Sequence, residues 1–406
     1  MQLSEELKWR GFWNQTTFGD DTLIDSGQMT VYLGADPSAD SLHVGHLAVY
    51  MMVRHFLERG HKVVLLIGGG TGMIGDMRDT EERALLSLAE VQHNKHALSR
   101  QVSAIFAGRE FELVDNADWL TKLELLPFLR DVGKHFNMAD LTSREFFKAR
   151  IANGGGLSFA EFTYTLLQGY DFWHLFQHYG VTLQIGGSDQ WGNLLSGVNL
   201  IRKKEGAEVH AMTAPLLINK STGRKFGKSE GGAVWLDSTK TSVYKFYQFW
   251  LNVEDDNVID YMKILTMLDR PTIEAIAENH AVNPGARSAQ KVLAREVTDI
   301  VHGAARRESV ERVTEVLFGG GDFHSLSDDD IELLAQEIPR VDVGVGVIEA
   351  LVVAGAAASN GEARRLIKGN AISVNGQKIA DDMVLQQRSL IKKGKNTFVL
   401  VAEGDE

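Results

Sequence analysis

MTVYLGADPSADSLHVGHLAVY, residues 29–50, is the stretch whose reading decides the fold. Residues 29–35 are a short apolar and aromatic run suited to a buried strand. Asp36-Pro37 breaks it, and Ser41 offers an N-cap for a helix entering through His43-Val44-Gly45-His46. A strand therefore hands over to a helix N-terminus, whose unsatisfied N–H groups and partial positive charge suit an anion. Gly45 lets a ligand approach the backbone there, and phosphate is the expected guest.

Working outward, residues 62–67 are a second apolar run, followed at once by Gly68-Gly69-Gly70-Thr71-Gly72. The resulting β-α-β unit ends both strands in turn residues, where doubly wound sheets bind their ligands. A long helix with a charged face is expected over 81–106. Ser158 caps another through 179, and a strand over 181–185 leads into Gly186-Gly187-Ser188-Asp189-Gln190, repeating the plan. Between them, 119–150 is largely helical and more aromatic than a surface needs. It reads either as an inserted helical hairpin at a subunit interface or as a helix packed in its own domain. A further strand is expected at 216–218, a helical region over 244–317, and a linker holding Asp328-Asp329-Asp330. The C-terminal unit has a helix at 359–368 and strands at 372–374 and 398–401.

The 406 residues suffice for two or three domains, and 44% hydrophobic with 24% charged residues is an ordinary globular composition. No apolar run approaches the roughly 20 residues that span a bilayer, and the opening MQLSEELKWRGFW lacks a signal peptide's core. The expectation is a cytoplasmic protein without a membrane partner. The absence of cysteine removes disulfides, thiolate zinc sites and cysteine nucleophiles together. Net charge is -12, yet residues 343–402 hold eight Lys plus Arg against four Asp plus Glu, so a small basic unit hangs on a large acidic one.

His43 and His46 lie three apart, so both can face one side of the helix entrance. A metal would need more ligands nearby, and Asp36 and Asp40 serve equally as turn and cap residues. A core-packed pair is the plainer reading, and imidazoles donating to phosphate suit the glycine-flanked setting best. Lys225-Phe226-Gly227-Lys228-Ser229 gathers cations around a glycine. Alone it is a solvated loop, whereas with the histidines it forms the other half of a triphosphate clamp. Tyr164, Gln168 and Asp171 stand four and three apart in one expected helix and share a face. The flanking Phe162, Tyr170 and Phe172 favour a pocket over a surface stripe.

HVGH and KFGKS resemble the two signature motifs of the class I aminoacyl-tRNA synthetases, and the sequence around them resembles the bacterial tyrosyl-tRNA synthetases. YLGADPSADSLHVGHL, GGGTGMIGD, EFTYTLLQGYDF, LQIGGSDQWGN, KFGKS and the basic C-terminal unit follow in the family's order across nearly the whole chain. The resemblance implies an α/β fold with a doubly wound, Rossmann-like parallel sheet in a catalytic domain at 1–230, carrying a helical dimerisation insertion at about 116–156. An α-helical anticodon-binding domain at 231–320, a linker at 321–344 and a small α+β S4-like RNA-binding domain at 345–406 complete it.

It implies further a homodimeric ligase that activates L-tyrosine with ATP to tyrosyl-adenylate and pyrophosphate, then charges tRNA(Tyr). Mg2+ accompanies the ATP and no metal is bound by the protein itself. By resemblance, Ser38, His43 and His46 face the ATP phosphates, and Lys225, Lys228 and Ser229 close over the pyrophosphate. Gly34, Asp36, Gly45, Gly187 and Asp189 complete the nucleotide site, with Asp189 on the ribose and Asp36 where nucleotide and amino acid meet. Asp76, Tyr164 and Gln168 surround the α-ammonium group, Tyr32 and Asp171 the phenol hydroxyl, and Gln190 the carboxylate, with Gln184 close by. Arg364, Arg365, Lys368 and Lys378, joined by Lys392, Lys393 and Lys395, meet the RNA backbone, and residues 202–204 its acceptor end. The family commonly continues after Gly75-Asp76 with proline and, a few residues on, a lysine. Here Arg78 and Arg83 are the candidates to take that lysine's place. Two rivals stand beside this reading: a synthetase for tryptophan or a non-tRNA nucleotidyltransferase that uses the HxGH arrangement, and an RNA-binding protein that kept the fold without activation.

Overall fold

The computed structural model describes residues 1–76, 85–142, 148, 158–218, 223, 228–229 (backbone alone) and 232–403. The chain forms two compact units, residues 1–241 with 249–301 and residues 242–248 with 302–406. The helices expected as one body over 244–317 are therefore shared between them.

The first unit is organised by a sheet of order β3-β2-β1-β4-β5: β1 Thr30–Ala35, β2 Lys62–Ile67, β3 Glu112–Asp115, β4 Leu183–Gly187 and β5 His210–Ala214. Every neighbouring pair is parallel. In β2, KVVLLI is buried at all but its first residue, the composition of a strand covered on both faces. From β1 the chain winds outward to β2 and β3, crosses back to β4, and winds outward again to β5. The order thus reverses between β1 and β4, and a crevice opens at their carboxyl ends.

Between β1 and β2 runs the helix Val44–Glu58, which begins later than Ser41 predicts. Its N-cap is His43, while Ser41 turns its hydroxyl to accept from Asp237 N at 3.1 Å. Ser158 does cap Phe159–Tyr179, accepting from Glu161 N at 3.2 Å, and Gly180 ends that helix at φ 65°. The strand expected at 216–218 is instead β5, whose five residues HAMTA are all buried. Its outer edge is covered by residues 15–17, through Thr17 N to Ala211 O at 3.0 Å and Thr213 N to Gln15 O at 2.9 Å. Residues 117–142 break into short helices, Ala117–Leu120, Leu125–Asp131 and Met138–Thr142. The second of these buries no residue.

Arg10, itself buried, donates to the carbonyls of Lys263, Thr266 and Leu268 at 2.7, 3.1 and 2.6 Å. The first helix, Leu3–Arg10, thereby satisfies the open C-terminal end of the helix Asp255–Leu265.

In the second unit, the strands Gln377–Lys378, Ile372–Val374, Ser389–Lys393, Thr397–Val401 and Arg340–Val341 lie side by side in that order. One core beneath them gathers Val347, Leu351, Ala363, Ile367, Ile391 and Val399. Another gathers Val313, Leu317, Phe323, Ile331 and Leu334 with Leu390, Phe398 and Leu400. The segment 321–344, expected as a linker, is folded. Asp328–Ala335 is a helix, and Asp330 is buried, accepting from Arg312 Nε at 2.8 Å and capping its own helix with Ser327. An acidic triplet looks like a solvated run in sequence, but these three sit in the first turn, where a helix favours negative charge. Among the described residues no helix is long and apolar enough to cross a membrane.

Candidate active site

The crevice is floored by β1 and β4, whose register sets Tyr32 beside Gln184. Gln184 Nε2 donates to the Tyr32 hydroxyl at 2.6 Å, and the Gln184 carbonyl oxygen is buried without a hydrogen-bond partner among the described residues. One turn into the crevice, the helix Phe159–Tyr179 supplies Tyr164, Gln168 and Asp171. The Tyr164 hydroxyl donates to Asp36 Oδ2 at 2.8 Å, and Gln168 Oε1 is a second buried, unpartnered acceptor. Burial, joined by the nearby Asp171 and Asp36 for Tyr32 and by Asp36 and Asp76 for Tyr164, pushes both phenols well above their ordinary range, so they act as neutral groups.

Asp171 is met by donors that the sequence reading missed. Asn116 Nδ2 reaches its Oδ2 at 2.9 Å and Trp119 Nε1 its Oδ1 at 2.7 Å. Burial raises the Asp171 carboxyl to about 7, the two donors opposing the shift and Asp36 and Asp115 reinforcing it. Asn116 also donates to Thr71 Oγ1 at 2.9 Å and accepts from Gly70 N at 2.7 Å, while Thr71 donates to Asp36 Oδ1 at 2.7 Å. One chain of hydrogen bonds thus runs from Tyr164 through Asp36, Thr71 and Asn116 to Asp171. A methyl group at position 68 would overlap Asp36 Oδ1 and Thr71 Oγ1, so glycine there leaves room for their contact. A second set joins Gln190 Nε2 to Asp76 Oδ2 at 2.8 Å, and Asn193 to Gln190 Oε1 at 3.1 Å. Gly187 and the exposed Asp189 follow at the end of β4, and Gly34 and Ser38 are exposed at the end of β1.

At the helix entrance, His43 Nδ1 accepts from Gly45 N at 3.0 Å and His46 Nδ1 accepts from His43 N at 3.2 Å. Each neutral ring therefore carries its proton on Nε2, at the edge away from the backbone. The rings stack with centroids 3.8 Å apart. Desolvation by the surrounding protein, and then the charge of the adjacent His43, lowers the His46 pKa. The preceding loop is held by Asn94, donating to Pro37 O at 3.0 Å, and by Gln101, accepting from Leu42 N at 2.9 Å.

Lys225, with Arg78 and Arg83, lies outside the described residues, and Lys228 and Ser229 are described through their backbone. Lys228 stands opposite Ala233 in a two-stranded hairpin, and two residues on, Trp235 stands opposite His43. Two strand spacings and two residue rises put the Lys228 backbone within about 17 Å of His43. Other cations are engaged elsewhere: Lys203 Nζ donates to His135 O at 2.7 Å and Lys204 Nζ to Asp131 O at 3.0 Å. In the second unit, Lys392 donates to Leu317 O at 2.9 Å and Lys393 to Ala356 O at 2.6 Å, whereas Arg364, Arg365, Lys368 and Lys378 are exposed. Among the described residues no group of three or more His, Asp or Glu is placed to hold a metal ion.

Residues 25–319 match the family of class I tRNA synthetases (W and Y), and residues 330–404 match the tyrosine--tRNA ligase SYY-like C-terminal domain. The chain is 44% identical to a tyrosine--tRNA ligase of Macrococcus caseolyticus, covering 98% of this chain and 99% of the relative. It is 43% identical to tyrosine--tRNA ligase 2 of Bacillus cereus over the whole of both. Among solved structures it resembles the C-terminally truncated mitochondrial tyrosyl-tRNA synthetase of Aspergillus nidulans, with TM-score 0.70 and 30% identity over 78% of this chain and 94% of that one. A tryptophanyl-tRNA synthetase from Encephalitozoon cuniculi shares the fold at TM-score 0.55 and 13% identity, over 82% of this chain and 91% of that one.

Proposed function

The chain belongs to the class I tRNA synthetases (W and Y), and from that premise we infer that it is a tyrosine--tRNA ligase, joining the carboxylate of tyrosine to the α-phosphate of ATP and then passing tyrosine to tRNA. The observation that supports a substrate with a phenol hydroxyl is the buried polar group in the crevice: the Tyr32 hydroxyl on Gln184, with Gln184 Oε1 unpartnered among the described residues. A substrate hydroxyl satisfies such groups and a phenylalanine ring leaves them unpaired; tryptophan is set aside by the 44% identity to a tyrosine--tRNA ligase over nearly the whole chain.

No covalent enzyme intermediate is needed, so the chain's work is to align carboxylate and phosphate and to neutralise the leaving pyrophosphate. The Nε2–H groups of His43 and His46 donate to the phosphates, and Gly34, Ser38, Gly45 and Gly187 allow ATP onto the backbone. Asp189 takes the ribose, Asp36 sits between the two substrates, and Lys225, Lys228 and Ser229 act on the pyrophosphate. Magnesium travels with ATP as part of that substrate. Asp76, Tyr164 and Gln168 hold the ammonium group, Gln190 the carboxylate, and Tyr32 with Asp171 the phenol. Arg364, Arg365, Lys368 and Lys378 meet tRNA(Tyr) from the C-terminal domain at 345–406, and the helices of 231–320 meet its anticodon. The exposed Leu125, Leu126, Leu129 and Met138, at 67%, 75%, 42% and 57% exposure, support a homodimer through the insertion at about 116–156. The working compartment is the cytoplasm.

Tyrosine-dependent exchange of labelled pyrophosphate into ATP tests the reading. Exchange driven by tryptophan, or needing no amino acid, overturns it. Lys228→Ala is expected to slow adenylate formation at least tenfold while tyrosine affinity stays within about twofold, since the lysine acts on charge that develops in the transition state. An unchanged rate removes Lys228 from the mechanism.

A further inference from the structure

The segment after the signature loop lies directly against the histidine pair. Val44 N donates to Val234 O at 3.0 Å, Leu236 N to Leu42 O at 2.8 Å, and His43 is bridged to Trp235 in an antiparallel pair. Val234 and Leu236 turn inward and are buried, so Trp235 turns to the other side. Residues directly opposite in an antiparallel pair present side chains to the same face, and the Trp235 and His43 rings meet edge-on with centroids 6.2 Å apart. The Trp235 backbone is fixed in turn by its N–H donating to Thr241 Oγ1 at 3.0 Å. Lys240 Nζ lies 5.5 Å from the indole and 2.7 Å from Asp40 Oδ1.

We propose that Trp235 is a positioning residue for the His43–His46 pair in adenylate formation, acting through His43. The inference rests on the reading of that pair as donors to the ATP phosphates. His43 caps the helix through its inner nitrogen, which accepts from Gly45 N, and His46 takes its place from the His43 backbone and ring. A swing of the first imidazole therefore displaces both donors, and a donor misplaced by about an ångström loses most of its effect on a transition state. The indole blocks that swing. Lys240 and Asp40 contribute less, because their ion pair is about a third exposed, at 34% and 36%.

The test uses the full-length chain and single-turnover adenylate formation, with the thermal unfolding midpoint as a control. Trp235→Leu is expected to lower the rate about tenfold with tyrosine KM unchanged, Trp235→Phe to stay within about threefold, and Lys240→Ala within about twofold. In a His43→Asn background, Trp235→Leu is expected to cost less than about twofold, because the residue it steadies is gone. Effects that multiply independently, or a Lys240→Ala loss as large as that of Trp235→Leu, overturn the proposal. A His43→Asn variant that keeps full rate overturns instead the underlying assignment of the histidines. Should Trp235→Leu unfold, the same cycle with Trp235→Met, which keeps more of the volume, decides the question.

Discussion

Asp171 holds its proton more tightly in the folded chain than in the unfolded one, with a folded value of about 7 against an ordinary value near 4. Below about pH 4 the carboxyl is protonated in both states and costs nothing; between about 4 and 7 the unfolded chain releases the proton that the folded chain keeps, so stability falls as pH rises, and above about 7 the penalty is constant. Asp171→Asn is therefore expected to gain stability relative to the parent as pH rises from 4.5 to 7.5, by up to a few kcal/mol. Unfolding midpoints at the two pH values check this, and a difference that does not change with pH refutes it. Gly68→Ala is expected to fold but to raise the KM for tyrosine and ATP together, because the methyl group displaces the oxygens that join Thr71 to Asp36. A change in one KM alone argues against a shared network. The pocket residues on Phe159–Tyr179 were legible because helical spacing brings 164, 168 and 171 to one face. Asn116 and Thr71 were not. Thr71 opens a short turn beyond β2, Asn116 follows β3, and their mutual contact spans 45 positions, which no local pattern encodes.

At the scale of elements, the helices Phe159–Tyr179 and Trp191–Glu205 approach closely where glycine permits it. A methyl group at Gly197 would lie 2.6 Å from Phe172 Cδ1 and 2.8 Å from its Cβ, and Phe172 packs on Tyr32 with ring centroids 5.6 Å apart. Gly197→Ala is expected to destabilise the chain by about 1–3 kcal/mol and to weaken tyrosine binding through the displaced Phe172. Unaltered thermal stability and unaltered KM would refute that coupling. Leu126→Glu on the exposed helix Leu125–Asp131 is expected to leave the fold intact and shift a dimer toward monomer in sedimentation velocity; an unmoved distribution rejects that face as the interface. The pattern announced β2 because both faces are covered and the strand is apolar throughout. It hid β5, where alanine, threonine and histidine fill buried positions without a β-branched run, so that sheet position overrides local propensity.

At the scale of the molecule, the sequence pointed to a sheet, a helical region and a basic end, but assigned 321–344 to a connection. The reason is that the apolar residues there, Phe323, Ile331 and Leu334, are buried by strands about 60 or more positions later. A chain ending at 344 is thus expected to bind a hydrophobic dye or aggregate while retaining pyrophosphate exchange, since the crevice belongs to the first unit. A monodisperse, dye-silent truncation contradicts this. The pairing of residues 42–44 with 234–236 has a consequence in time. During synthesis the two imidazoles leave the ribosome long before the indole paired with them, so a nascent chain that has not yet exposed residues 234–236 keeps the strand at 42–44 unpaired and the first imidazole without its edge-on neighbour.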